Sequence, residues 1–221
     1  ETNAKNRGDT EIANRIDSLN KLLSRINAMV KVSESTKSNL STSINTLVSN
    51  LTTLKATIDA DTSTTSLKTD MQSIVNAYRI YMLVIPQANI AAASDRVLTI
   101  AGELNTIAAK IQAANTANNS VAVSALADLS AKTADATTQA NAAVSETASL
   151  QPDNGNKTVA AANTAALKDA RTKIQTAVKD LETARKDAGT AVKAIRGSVK
   201  ASATVSASTS VSTSASSTTT R

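Results

Sequence analysis

Apolar residues recur at alternating intervals of three and four along six consecutive stretches of the chain, the spacing that lines one face of an α-helix. The first stripe runs Ile12, Ile16, Leu19, Leu23, Ile26, Val30, and the second Leu40, Ile44, Leu47, Leu51, Leu54, Ile58. The third, Leu67, Met71, Ile74, Tyr78, Tyr81, Ile85, and the fourth, Ile90, Ala93, Val97, Ile100, Leu104, Ile107, Ile111, keep the period. The fifth carries smaller residues, Ala122, Leu126, Leu129, Thr133, Ala136, Ala140, Ala143, Thr147, Leu150, and the sixth mixes large and small ones, Leu167, Ala170, Ile174, Ala177, Leu181, Ala184, Ala188, Ala191, Ile195. Small seam residues let two helix backbones approach closely, so the last two stripes predict a tightly paired hairpin.

The breaks between stripes carry helix-end chemistry. Asp9 or Thr10 can cap the first helix, Ser33 the second and Thr62 or Ser63 the third, each offering a side-chain oxygen to unpaired backbone amides. Pro86 either begins the fourth helix or kinks a continuous one, and a start is favoured because Pro inside a helix costs roughly 3 kcal/mol. The polar run Asn115 to Ser120 separates the fourth helix from the fifth, and Gln151-Pro152-Asp153-Asn154-Gly155-Asn156 is the strongest turn signal. Connections this short make neighbours antiparallel. The expected fold is an all-α, elongated antiparallel bundle: a four-helix unit in residues 1–117, a long helical hairpin in 118–200 and a Ser/Thr-rich extended tail in 201–221.

Composition narrows the chemistry. The 221 residues are 41% hydrophobic, almost entirely Ala, Val, Leu and Ile, with two Tyr and no Phe, Trp, His or Cys. Stability must then come from aliphatic burial and helix propensity, with few large anchors. Without imidazole or thiolate, nucleophilic triads and the usual zinc ligand sets are excluded, and no pair of carboxylates is marked by its setting for acid–base work. The chain is therefore expected to be no enzyme and to hold no cofactor. One calcium-like spacing stands out, Asp59, Asp61, Ser63 and Asp70 at positions 1, 3, 5 and 12 of a loop between helices. Thr64 stands where that loop wants Gly, and helix capping by the same residues is the simpler explanation. Tyr78, Arg79 and Tyr81 could anchor a partner, but their register puts both rings on the buried stripe. Arg96, beside the seam, could snorkel along the same groove.

Charge is uneven. Residues 157–200 hold ten Lys or Arg against four acids, whereas residues 1–156 hold thirteen against fourteen, so the net +6 gathers on the sixth helix. Lys168, Arg171, Lys179, Arg185, Lys186, Lys193 and Arg196 are candidate interaction residues for an acidic partner: a polysaccharide, the cell envelope or a neighbouring subunit. A solvated helix face braced by Asp169 to Lys173 and Glu182 to Lys186 explains the same residues without a partner. No aromatic lies on that helix to stack on bases, which argues against nucleic acid. No membrane span is expected, because the most apolar stretch, Ile80 to Ile85, is six residues long against the about 20 a spanning helix needs.

From Val205 the pattern changes to period two, with Ser at every even position through Ser216 and Val, Ala or Thr between. Val205 and Val211 then fall on one side of an extended segment, either a flexible linker or an arm laid on another subunit. The chain opens on Glu1 rather than Met, which fits removal of an export signal or a cut from a longer sequence.

The segments Leu54-Lys55-Ala56-Thr57-Ile58-Asp59-Ala60-Asp61-Thr62, Tyr78-Arg79-Ile80-Tyr81-Met82-Leu83-Val84-Ile85-Pro86-Gln87 and Ala92-Ala93-Ser94-Asp95-Arg96-Val97 resemble a family of uncharacterised secreted Ala/Thr-rich helical proteins of uncultivated candidate-phylum bacteria, over roughly residues 5 to 112. The resemblance implies export and a bacterial surface or extracellular setting, and it brings no activity, ligand or functional residue. Two function classes follow. One is a self-associating structural subunit of an extracellular filament or surface layer, contacting neighbours through the sixth helix and the tail. The other is a monomeric helical adhesin, stalk or ligand-binding module tethered through the tail.

Overall fold

The apolar stripes become helices in the computed structural model: α1 (Thr2–Asn27), α2 (Glu34–Ala60), α3 (Thr64–Asn76), α4 (Ile85–Ala114), α5 (Ser120–Ala148) and α6 (Lys157–Ser212), with a π-helical turn Ile80–Val84 entering α4. The structure describes the backbone of residues 2–76, 80–153 and 156–212, and the side chains in those ranges outside 75–81 and 202–212. No strand occurs among the described residues, and no helix among them is long and apolar enough to cross a membrane. The protein is an all-α helical bundle.

It divides into two compact units, Glu1–Thr99 with Thr138–Ala177, and Ile100–Thr137 with Val178–Arg221. Each of α4, α5 and α6 gives one part of its length to each unit. The division therefore differs from the segments 1–117, 118–200 and 201–221 read from the sequence, which assumed that boundaries fall between helices.

The first unit has a core of large aliphatics. Ile12, Leu19 and Ile26 of α1 meet Ile44, Leu51 and Ile58 of α2, and all six are essentially inaccessible to solvent. Leu67 and Ile74 of α3 and Val84, Ala88 and Ala91 around the start of α4 join them. Burying each Leu or Ile contributes about 1.5–3 kcal/mol, which makes this seam the main stabiliser of the unit. The Lys5 ammonium, near the start of α1, donates to the carbonyls of Asp59 (2.8 Å) and Asp61 (2.6 Å) at the end of α2, which fixes the two helices antiparallel. A second cluster joins Leu83 and Ile90 to Ala143, Leu167 and Ala170. In the second unit the buried residues are smaller: Ala101, Leu104 and Ile111 of α4, Ala122, Leu126, Leu129 and Ala136 of α5, and Leu181, Ala184, Ala188 and Ala191 of α6.

Helix ends follow the side-chain chemistry. Ser33 accepts the Thr36 amide (3.2 Å) to cap α2, and Ser63 accepts that of Ser66 (3.2 Å) to cap α3. Asn119 caps α5 through the Ala122 amide (3.1 Å), with Asn118 just before it at φ 48°, a left-handed conformation that Asn tolerates. Asn156 caps α6 through the amides of Thr158 (3.0 Å) and Val159 (3.2 Å). Pro86 is the second residue of α4, but the π turn Ile80–Val84 leads into α4 without a gap, so Pro86 lies inside a continuous helical run and not at the helix start favoured from the sequence. The turn before it is widened to π geometry rather than broken.

Four further expectations need correction. The first helix begins at Thr2, so neither Asp9 nor Thr10 caps it. Both lie in its interior, where Asp9 pairs with Lys55 at 2.8 Å and the Thr10 hydroxyl donates back to the Asn6 carbonyl. Val30 lies beyond the end of α1 and is 73% exposed, while Met29 and Val32 turn inward. In α4 the predicted stripe holds at Ile90, Val97, Leu104 and Ile111, which are buried, but fails between them: Ser94 and Ala101 are buried, and Ile100 and Ile107 are 38% and 44% exposed. Ser94 fits there because its hydroxyl donates to the Ala140 carbonyl (3.0 Å), which lets α4 approach α5 closely. Finally, α6 runs on through Ser212, so Val205 and Val211 sit in helical backbone; residues 213–221 of the expected extended tail lie outside the described residues. Once a helix is nucleated each further residue adds a hydrogen bond, and Ser, Thr and Val cost at most about 0.7 kcal/mol relative to Ala, so period-two patterning does not by itself break it.

The loop between α1 and α2 is held by one side chain of α4. Asp95 Oδ1 accepts the backbone amides of Val30 (2.8 Å), Lys31 and Val32 (3.0 Å). Replacing Asp95 by Ala removes the acceptor shared by three amides and should destabilise the protein by about 1–3 kcal/mol in urea denaturation, with Asp95→Asn losing less; an unchanged midpoint for Asp95→Ala refutes the clamp. Gly102, exposed within α4, has no atom within 4 Å of where a Cβ would stand. Gly102→Ala should therefore raise stability by about 0.5–1 kcal/mol, read as an upward shift of the thermal midpoint.

Candidate functional site

The register of α6 decides where its charge goes. With Leu167, Ala170, Ala177, Leu181, Ala184, Ala188 and Ala191 turned inward, Lys168, Arg171, Lys179, Arg185, Lys186, Lys193 and Arg196 are all exposed. Lys168 and Arg171 belong to the first unit, and the other five to the second. Lys179, Lys186 and Lys193 recur every seven residues, about 10.5 Å per step, and form one stripe with the exposed Glu182 among them. Two other acids of α6 are engaged sideways. Asp169 and Glu146 flank Lys173, with Glu146 at 2.9 Å, and Asp180 pairs with Lys132 of α5 at 2.8 Å. From Ala188 to Ser212 the helix carries no acid, while Lys193, Arg196 and Lys200 lie along that length.

These pairs shift proton affinities in predictable directions. Asp169, then Glu146, holds the Lys173 ammonium above the ordinary lysine value, and Lys173 in turn holds the Asp169 carboxyl below the ordinary carboxylate value. Asp180 raises Lys132 in the same way, and Asp9 with Asp59 raises Lys55.

Of the calcium-like residues, Asp59, Asp61 and Ser63 lie at the α2–α3 junction and Asp70 farther along α3, and the junction residues are engaged by the protein itself. Asp59 pairs with Lys55 at 2.9 Å, Lys5 takes the carbonyls of Asp59 and Asp61, Ser63 caps α3, and Asp70 lies within α3. Lysine ammoniums thus stand where loop oxygens would face a cation. Among the described residues no group of three or more His, Cys, Asp or Glu side chains is arranged to hold a metal ion. Tyr78 and Arg79 lie outside the described residues, as does the Tyr81 side chain. Arg96 is exposed.

Two features of the first unit went unnoticed in the sequence. One is a cavity of about 300 Å³ beside Arg171, lined also by Pro86, Asn89, Ile90, Ala93, Ile174 and Gln175, which puts one of the candidate cations over an apolar floor. The other is a cleft of about 270 Å³ between α2, the π turn and the segment after α5, with Gln87 in its wall. Gln87 is 6% exposed, and its Nε2 donates to the carbonyls of Thr147 (2.7 Å) and Leu150 (3.2 Å) where α5 ends. The sequence signal for it was a carboxamide following Pro86 at the first turn of an apolar helix, a position indistinguishable from a solvent-facing one without its partners.

No protein-family model, curated protein or solved structure matches this chain.

A lysine whose affinity for its proton is raised on folding contributes stability that is complete below its unfolded value and fades as the pH climbs through the folded one. For Lys132 the unfolded value is 10.5. The gap in urea midpoint between the unmodified protein and Lys132→Gln should hold steady from about pH 6 to about pH 9 and shrink above about pH 10.5, and a gap independent of alkaline pH contradicts the Lys132–Asp180 pairing. Asp169 runs the other way: its contribution is present above the ordinary value of 3.8 and is lost as the pH falls through its lowered one.

Proposed function

We propose that this chain is a non-enzymatic structural subunit of an extracellular bacterial assembly, a filament or surface layer, in which α6 and the C-terminal segment contact neighbouring subunits. The observation that carries this reading is the exposed cation row of α6, Lys168 through Arg196, which continues into a stretch without acids. Such a row favours an acidic partner surface and repels its own kind, which orders how copies approach one another. The buried polar side chains Gln87, Ser94 and Asn163 support the reading from the other side, since each donates to a backbone carbonyl and so serves the architecture. The extracellular bacterial setting rests on the sequence resemblance alone.

A second reading, a monomeric helical adhesin, stalk or ligand-binding module, is favoured by the cleft at Gln87. Light scattering and electron microscopy of the purified chain separate the two. Self-association that weakens as salt is raised from about 0.05 M to about 0.5 M, and that Lys193→Glu with Arg196→Glu abolishes, is the expected outcome. A monodisperse monomer at high concentration sinks the assembly, and under the second reading removal of residues 201–221 leaves fold and oligomeric state unchanged.

A further inference from the structure

The cleft at Gln87 is built from neutral groups. Along α2, Thr36, Asn39, Ser43 and Thr46 face it at intervals of three and four, a stripe of hydroxyls and an amide about 15 Å long. Leu40, Leu47, Leu83, Val84, Leu150 and Pro152 supply apolar wall, Thr42, Gln87 and Gln151 add neutral polar groups, and none of the described lining residues carries a charge. A second cavity of about 310 Å³ adjoins it, sharing Thr36 and Ala148 and adding Ser33, Asn141 and Ser145, again without a charged residue. Both lie within the first unit.

The chemistry of the walls selects the ligand. A phosphate or carboxylate would enter without a counter-charge, which desolvation makes unfavourable. Thr36 already hydrogen-bonds Ser33 and Thr46 the Thr42 carbonyl, so the polar groups that a purely apolar ligand would cover without offering a partner are those of Asn39 and Ser43. Gln87 is held rigidly, because both Nε2 hydrogens are committed to the carbonyls of Thr147 and Leu150; what it offers a ligand is its Oε1 acceptor, which wants a hydroxyl or N–H. Leu83 and Val84 of the wall belong to the π-helical turn, a distortion that recurs at functional sites. The first cavity equals the share of about nine water molecules in liquid water, the size of a small ring with its hydroxyls.

We propose that these adjoining cavities bind consecutive rings of a neutral oligosaccharide, the C–H faces resting on the leucines and the ring hydroxyls exchanging hydrogen bonds with the α2 stripe and Gln87. This deepens the ligand-binding reading by naming the class of ligand, and it stands whether or not the chain self-associates.

The test is amide-resolved NMR of the full chain titrated with cellotriose, maltotriose and triacetylchitotriose to about 20 mM, the range in which a site of this size binds. At least one sugar should give saturable shifts of the Asn39, Gln87 and Asn141 side-chain amides. Ser43→Phe, at an exposed position of α2, should weaken that binding about tenfold or more by filling the cleft, while Thr176→Phe on the exposed face of α6 leaves it unchanged. The proposal is overturned if none of the three sugars shifts those signals, if Ser43→Phe binds as well as the unmodified protein, or if trigalacturonate binds as tightly as the neutral sugars. It is equally overturned if a synthetic peptide of residues 205–220 takes the site in preference to sugar, because the cleft then receives a protein segment. Light scattering on the same samples reports self-association separately, so loss of that behaviour with sugar binding intact refutes the assembly and leaves the cleft.

Discussion

Three polar residues near the start of α4 hold backbone from elsewhere in the first unit, and the arrangement of that unit depends on them. Asp95 gathers three successive amides of the α1–α2 loop, Ser94 reaches the Ala140 carbonyl in the middle of α5, and Gln87 takes two carbonyls where α5 ends. An aliphatic seam is weakly directional, because one methyl group packs against another with little preference for register. A carboxylate serving three amides is satisfied in one geometry only. In a chain with two Tyr and no Phe or Trp, few bulky side chains are available to lock neighbouring helices by shape, and these directional hydrogen bonds supply the specificity that shape does not.

This explains which parts of the fold were legible in the sequence. The stripes of α1, α2, α5 and α6 could be read directly, since Ile12, Leu19, Ile44, Leu51, Leu129 and Leu181 are buried by the rule that placed them: large aliphatics at helical spacing go inside. The fourth stripe failed at Ile100 and Ile107 because the same rule ranks Ile above Ser and Ala, whereas a close helix approach selects small residues and Ser94 finds a carbonyl there. Asp95 and Gln87 were invisible for a related reason. A polar residue in a helix reads as solvent-facing unless its partner is known, and these partners are 60 or more residues away. Capping by Ser33 and Ser63 was legible because donor and acceptor lie within one turn. The basic character of α6 was equally plain, as it needs only the count of charges and the phase of the seam.

The two units are made of different material. The first fills its α1–α2 seam with Ile and Leu, whereas Ala provides most of the buried α5 and α6 positions in the second. At about 0.8 kcal/mol per buried methylene, an Ala seam gains less from water exclusion than a Leu seam of equal length. It gains closer backbone approach and the highest helix propensity in exchange. The second unit therefore leans on its own backbone hydrogen bonds and on ties between helices, such as Lys132 to Asp180, Thr133 to Asn105, and Asn119 to Ser198.

That difference bears on how α6 presents its charge. An Ala-lined seam leaves the opposite face of the helix regular, so Lys179, Lys186 and Lys193 keep their heptad spacing on a backbone that no bulky residue displaces. Asp180 points to Lys132 on the flank, so it neutralises a lysine of α5 and leaves those of α6 in place. Past Ala191 no described residue of α6 is buried, yet Lys193, Arg196 and Lys200 follow within nine positions. Cations near a helix C-terminus are favoured by the helix dipole within the last turn only, and these lie more than two turns before Ser212, so the dipole does not account for them. Lys193 and Arg196 are exposed on a stretch of α6 that carries no acid, so the charge of that stretch follows from its sequence and not from the dipole.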